Sequence, residues 1–485
     1  MSRVFSFALA AALVSLTGGR PAFPVDEGIV IEHGTRAFDG LIEEPARTAP
    51  AANRSDVTAL LAAANGAPPI ICSLAVQAVR NGGWNDWSDA PASALPRVML
   101  PDGRRHRHRD GDDDEQRADT AMSAADVQQL LEALSSNDPC VRELSVRLIG
   151  REDDSVVAPG LVTRLKTGNP ALRQIAALGL GLVGADGAAG QLIESLRDAD
   201  AGVRANSAWA LGRIESGAAL GALEGLFRDP SEQVRGAAVA AVGQMDSASA
   251  TASLIRVVKQ DDSPRVRRVA AWALGQLEAH DAVDALGSAL SSDREAAVRE
   301  MAAWALGEIS DHAGSSALAT AVRRDADDGV REMAAWALAE IGDHSSADVL
   351  GQVVASDKSS RVRGTAAWGI GEIEDEDGRA PAGLVQALKD ESSDTRLKAA
   401  WALGQIGDSA ALPAIRDALK QEQSSEVSRA LIRALMKSGE RSESTLNELL
   451  NSKDARVREV AVRGLAGNSR FDPWPWPMPR PRPFP

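Results

Sequence analysis

The chain has 485 residues, with 68 acidic side chains against 53 lysines and arginines, for a net charge of −15 at pH 7. That acidity excludes a nucleic-acid binder, which needs a basic surface to meet phosphates. Tyrosine is absent, so a common catalytic and interface residue type goes unused, and cysteine occurs only twice.

Residues 1–22 open with MSRVFSFALAAALVSLTGG: Arg3, then an apolar run from Val4 to Leu16, then small residues. The run is too short to span a bilayer and predicts a secretory signal peptide cut near 17–23. The expectation is a secreted or periplasmic protein with no integral membrane segment once the signal is removed. Residues 23–100 predict a small N-terminal region, a helical cap or a module of its own, in which DVTALLAAAN and PPIICSLAVQAVRNGG form two short helices. Cys72 lies in the second, and its pairing with Cys140 stays open, since a disulfide needs Cα atoms within about 7 Å. Residues 101–122 carry RRHRHRDGDDDEQR and predict a charged, disordered linker. His106 and His108 beside Asp110, Asp112, Asp113 and Asp114 match no metal loop, so no metal is assigned.

From 123 to 468 one unit repeats. Trp272, Trp304, Trp336 and Trp368 fall at steps of 32 residues, with Trp209 and Trp401 in the same register. Extending the register gives eleven copies, with Arg147, Leu178, Ala240, Arg433 and Arg463 in the remaining tryptophan slots. A fixed period of this length means stacked copies of one supersecondary unit rather than one globular core. Each unit predicts two helices: a short amphipathic one such as ADVLGQVVASD, then a longer one such as AVREMAAWALGEI. Asp138-Pro139, Asn169-Pro170, Asp229-Pro230 and Ser263-Pro264 place a capping residue before a proline suited to the first turn. A Val-Arg pair precedes most slots by six residues, as in Val298-Arg299 and Val330-Arg331. Its arginine is expected to make salt bridges and helix-end contacts between units.

The unit reads V-R-x-x-A-A-x-A-L-G-x-I-G-D, nearly intact at 330–343 and 395–408. It resembles the HEAT-like repeat family, in the short bacterial variety called phycobilisome-lyase HEAT-like repeats. The resemblance implies an all-α fold, an α-solenoid or superhelix of about eleven two-helix repeats. Members of the family include scaffolds, adaptors and a few enzymes.

A helical wheel at about 100° per residue places the second helix. With Val298 at zero, Ala302, Ala305 and Ile309 form the core stripe, and Trp304 sits at about 240°, off that stripe. Each tryptophan therefore points toward a seam with a neighbouring unit, where Ala and Gly positions leave room. Two roles stay open: a packing ladder between repeats, or an aromatic strip on the concave surface. Glu300, Glu332, Glu308, Glu340 and Glu372 flank the indoles at about 200° and 280°. Trp272, Trp304, Trp336 and Trp368 with these five glutamates form the candidate binding face, suited to a cationic partner by charge and cation–π contacts.

Residues 469–485, ending PWPWPMPRPRPFP, predict an extended, polyproline-like tail. No nucleophile elbow, phosphate loop or zinc signature occurs, and His280, His312 and His344 read as turn residues. The sequence thus predicts a non-catalytic, monomeric scaffold that binds protein or peptide, basic partners included, without a cofactor. The alternative is a lyase-like or accessory enzyme subunit handling a bound cofactor.

Overall fold

The computed structural model describes residues 57–69, 72–73, 122–373, 378–440 and 443–452, with 455, 457–459 and 462. The segments expected to be a signal peptide and a charged linker, up to residue 121, lie outside the described residues, as do the slot at Arg463 and the tail. Ten complete helix pairs run from Ala124–Ala133 with Pro139–Ile149 to Leu412–Gln421 with Ser425–Lys437, and Glu443–Leu450 opens an eleventh. No strand occurs among the described residues. The chain is an all-α solenoid of two-helix repeats.

The two helices of a pair, here A and B, are buried to different extents. The A helix Thr251–Gln260 covers only Leu254, Val257 and Val258. The B helix Asp328–Ile341 buries ten of its fourteen residues, including Ala334, Ala335, Ala337 and Ala339. A helix buried on so much of its circumference must pack on several neighbours. Each B helix lies against its own A helix and against the B helices before and after it. Small Ala and Gly side chains let those backbones approach. Successive B helices pack more extensively on one another than successive A helices do.

An arginine ladder joins the repeats at one edge. Arg173, Arg204, Arg235, Arg267, Arg299, Arg331 and Arg363 each form a two-pronged ion pair with an aspartate after the next A helix, and Arg396 does so with Glu422. In the Arg331 rung, Nε lies 2.7 Å and Nη2 3.0 Å from the Asp357 carboxylate, and Nη1 donates to the Asp325 carbonyl six residues earlier. The aspartates also accept the N–H two residues on, as Asp357 does from Ser359. One group thus closes a turn and binds the preceding repeat.

Asp138 and Asn169 cap their helices as the sequence predicts, ahead of Pro139 and Pro170. The other two sites differ. Ser263 makes no side-chain cap bond. The helix after Pro230 starts only at Glu232, because Arg204 and the Ser231 N–H occupy the Asp229 carboxylate. At the far end of the B helices a left-handed residue recurs six positions after the tryptophan slot: Gly184, Glu215, Asp246, Glu278, Ser310, Gly342, Gly407 and Gly439.

The N-terminal helix Val57–Ala64 packs on both helices of the first pair. The Gly66 N–H donates to Asp138 Oδ2 at 2.8 Å. Cys72 and Cys140 form a disulfide, their Cα atoms 5.7 Å apart, within a small cluster of Ala64, Val141 and Leu144. The pairing that the sequence leaves open is made. No helix among the described residues is long and apolar enough to cross a membrane.

Candidate functional site on the inner helices

The B helices carry the tryptophans, and five of the six rings in the repeats share one kind of seat, while the preceding repeat offers Trp368 Ala339 in place of the glycine. The six-membered edges of Trp209, Trp272, Trp304, Trp336 and Trp401 rest on Gly181, Gly243, Gly275, Gly307 and Gly371 of the preceding repeats. A Cβ added at Gly307 would fall 2.7 Å from the Trp336 ring, so the glycine is required by close approach. The motif Trp-Ala-Leu-Gly therefore supplies both halves of the seam, from successive copies. The wheel's placement of the ring off its own core and toward a neighbour is the arrangement found.

Burial separates the candidate tryptophans. Trp336 and Trp368 are 4% exposed and Trp272 7%, whereas Trp304 stays half-buried. The first three serve chiefly as packing between repeats, and Trp304 keeps accessible surface at the centre of the inner face. The indole N–H of Trp368 donates to Glu372, one turn further along its helix.

The five glutamates occupy two rows. Glu300 and Glu332 stand one turn before their tryptophans. Glu308, Glu340 and Glu372 stand one turn after, the first half-buried and the other two exposed. Glu332 receives Arg361 Nε at 2.9 Å and Thr365 Oγ1 at 3.4 Å. Glu300 faces Gly329 where Glu332 faces Arg361, with its Oε1 3.7 Å from a Cβ built at that glycine. Burial pushes the Glu300 carboxyl above the usual range, and the nearby Asp327 and Glu332 charges add to this against Arg268 and Arg361. Burial also raises Glu372, helped by Glu340 and opposed by the Trp368 N–H. These are carboxylates held close together with incomplete compensation.

Sequence reasoning missed the cations on this face. Arg268 fills the slot that Glu300 and Glu332 occupy in the next two repeats, and Arg361 fills the slot of Gly329. Lys398 is buried, with Nζ 2.7 Å from Asp394. Reading each slot down the column of repeats, rather than each helix singly, exposes all three. On the opposite turns, His280 Nδ1 lies 3.0 Å and His312 Nδ1 4.0 Å from the aspartates of the following repeat, Asp311 and Asp343. Among the described residues, no group of three or more His, Cys, Asp or Glu side chains is placed to hold a metal ion.

Paired helices stacked in register, with an inner layer of near-identical B helices, define a repeat protein of the α-solenoid class. The chain belongs to the HEAT-repeat family, whose pattern matches it in overlapping windows at residues 127–212, 158–243, 189–275, 220–307, 251–339, 315–382 and 381–466. Among solved structures it is similar to an engineered protein at 23% identity, covering 71% of this chain and 98% of that one, with a TM-score of 0.39. It is similar to yeast importin-beta at 16% identity, covering 70% of this chain and 57% of that one, with a TM-score of 0.47. The karyopherin Kap121p, bound to the extreme C-terminus of the protein phosphatase Cdc14p, is 17% identical, with 70% of this chain and 45% of that one covered and a TM-score of 0.46. The chain thus spans about half the length of these last two proteins, and the likeness is one of fold. No match was found among curated proteins.

Proposed function

We propose that the protein is a non-catalytic scaffold whose inner face binds a cationic protein or peptide segment. One observation carries the reading: half-buried Glu300 and exposed Glu372 each stand beside other carboxylates, and both have raised proton affinity. Like charges so placed cost the fold energy, and a bound ammonium or guanidinium relieves that cost. Trp304, half-buried between the rows, offers an indole face for a cation–π contact. Arg361 and Arg268 neutralise part of the face and would restrict where along it a basic side chain settles. The signal-like residues 1–22 support an exported location, and the motif at 330–343 supports the phycobilisome-lyase-like variety of repeat.

The test is capture of partners from the exported fraction by the wild type and by a Glu300/Glu332/Glu340→Lys variant. Loss of the captured protein in the variant, and elution of the wild-type complex by salt, are expected. Unchanged recovery overturns the reading. A pigment or other cofactor that co-purifies with the protein favours the enzyme-subunit alternative instead.

A further inference from the structure

The N-terminal helix Val57–Ala64 is too short to stand alone, since isolated helices below about 12 residues are marginal in water. It holds its form through its seat on the first repeat. The apolar anchorage there is small. Val57 and Ala64 are buried, and Leu60 and Leu61 are half-buried against the cluster of Cys140, Val141 and Leu144. Thr58, Ala59, Ala62 and Ala63 are exposed. Two links fix the segment to the start of the helix Pro139–Ile149. The Asp138 carboxylate caps that helix through the Cys140 and Val141 N–H groups on Oδ1, and takes the Gly66 N–H on Oδ2. Beside that cap, Cys140 bonds to Cys72 across a separation of 68 residues. A cross-link over that span removes much of the freedom of an open chain, and so keeps a lightly seated helix in place.

We propose that the Cys72–Cys140 disulfide is a redox clasp on the cap of the solenoid. Oxidised, it holds Val57–Ala64 over the first repeat and covers Val141 and Leu144. Reduced, it lets the helix lift and leaves that apolar end of the array open. The later repeats touch only their neighbours and keep their structure. The step is thiol–disulfide exchange with a dithiol. One thiolate of the reductant attacks a cysteine sulfur, the S–S bond breaks, and the other cysteine leaves as a thiolate. The second thiol of the reductant then displaces the first cysteine, giving two protein thiols and the reductant's own disulfide. The redox state of the surroundings thereby sets whether the first face of the array is covered, whatever the inner face holds.

The test is hydrogen exchange of the full chain before and after dithiothreitol, with iodoacetamide labelling to confirm that both thiols are free. In the oxidised chain the Asn65 N–H bonds to the Leu61 carbonyl and the Gly66 N–H to Asp138. On reduction these amides are expected to lose protection at least about a hundredfold. Amides of Ala124–Ala133 and Pro139–Ile149 should lose less, and those from Ala201 onward should change less than about twofold. A Cys72→Ser/Cys140→Ser variant is expected to match the reduced wild type and to be insensitive to dithiothreitol. Unchanged protection of Asn65 and Gly66 in fully reduced chain overturns the clasp, because the seat then holds without the bond. Loss of protection along all the repeats also overturns it, since the bond is then a staple of the whole fold. Two free thiols in chain purified in air, before any reductant, do the same. Should the double variant fail to fold, reduction of the folded wild type decides by the same amides.

Discussion

At the scale of single residues, the same side chain type does different work along one column. Trp336 is sealed over Gly307, and Trp304, on Gly275, keeps accessible surface. Trp336→Leu is therefore expected to cost about 2–3 kcal/mol and Trp304→Leu about 1 kcal/mol, read by urea denaturation. The periodicity of the B helix was enough to place both rings off their own core, because a wheel needs only 3.6 residues per turn. It could not grade their burial, which depends on how closely two backbones approach. Glu300 gives a second expectation. Its folded carboxyl binds a proton more tightly than an unfolded one, so its charge opposes folding at neutral pH, and the opposition fades as pH falls through the raised folded value. Glu300→Gln should raise the melting temperature at pH 7, and the advantage should shrink toward pH 4. An equal shift at both pH values would remove electrostatics as the cause.

At the scale of the element, the helix ends hold a reserve of stability. Four B helices close on a non-glycine residue in left-handed conformation: Glu215, Asp246, Glu278 and Ser310, with φ between 46° and 53°. Their counterparts Gly184, Gly342, Gly407 and Gly439 make the same turn without a Cβ penalty. Glu278→Gly is expected to stabilise the chain by about 1 kcal/mol and Gly342→Ala to destabilise it by a similar amount, both measured by thermal unfolding. The turn was legible as Ile-Gly-Asp in the intact motif copies, because glycine announces the conformation. At Glu278 nothing local does so, and only the register reveals it. The same limit explains Asp229-Pro230. The dipeptide reads as a cap locally, yet Arg204 from the preceding repeat takes the carboxylate and the helix begins later. Caps that rest on neighbours in sequence were readable, and those overruled from another repeat were not.

At the scale of the molecule, the period of 32 made the solenoid readable, and the recurring Ala and Gly positions made the close stacking of the B helices readable. The ladder was only half legible. The arginine column was evident, but its carboxylate partner lies about 26 residues on, after the next A helix, and belongs to a column that spacing alone does not link to it. These rungs set the acid limit of the fold. Arg173 holds the Asp198 carboxyl below the usual range, and Arg396 does the same for Glu422. Burial alone would raise Asp325 and Asp390, but Arg299 and Arg363, with a backbone N–H at each site, outweigh it and lower them. A depressed carboxyl contributes stability that is present above the unfolded value of about 4 and is lost as pH falls through the folded value. In a linear array, stability is a sum of repeat terms and interface terms, and the rungs belong to the interfaces. Acid should therefore part repeats before it melts helices. Below about pH 4, tryptophan emission is expected to shift to the red as the seams open, ahead of the loss of helical circular dichroism. Arg331→Ala, which strands the nearly buried Asp357 carboxylate, should cost about 3 kcal/mol at pH 7. Coincident fluorescence and dichroism transitions in the wild type would show instead that helix and interface fail as one unit.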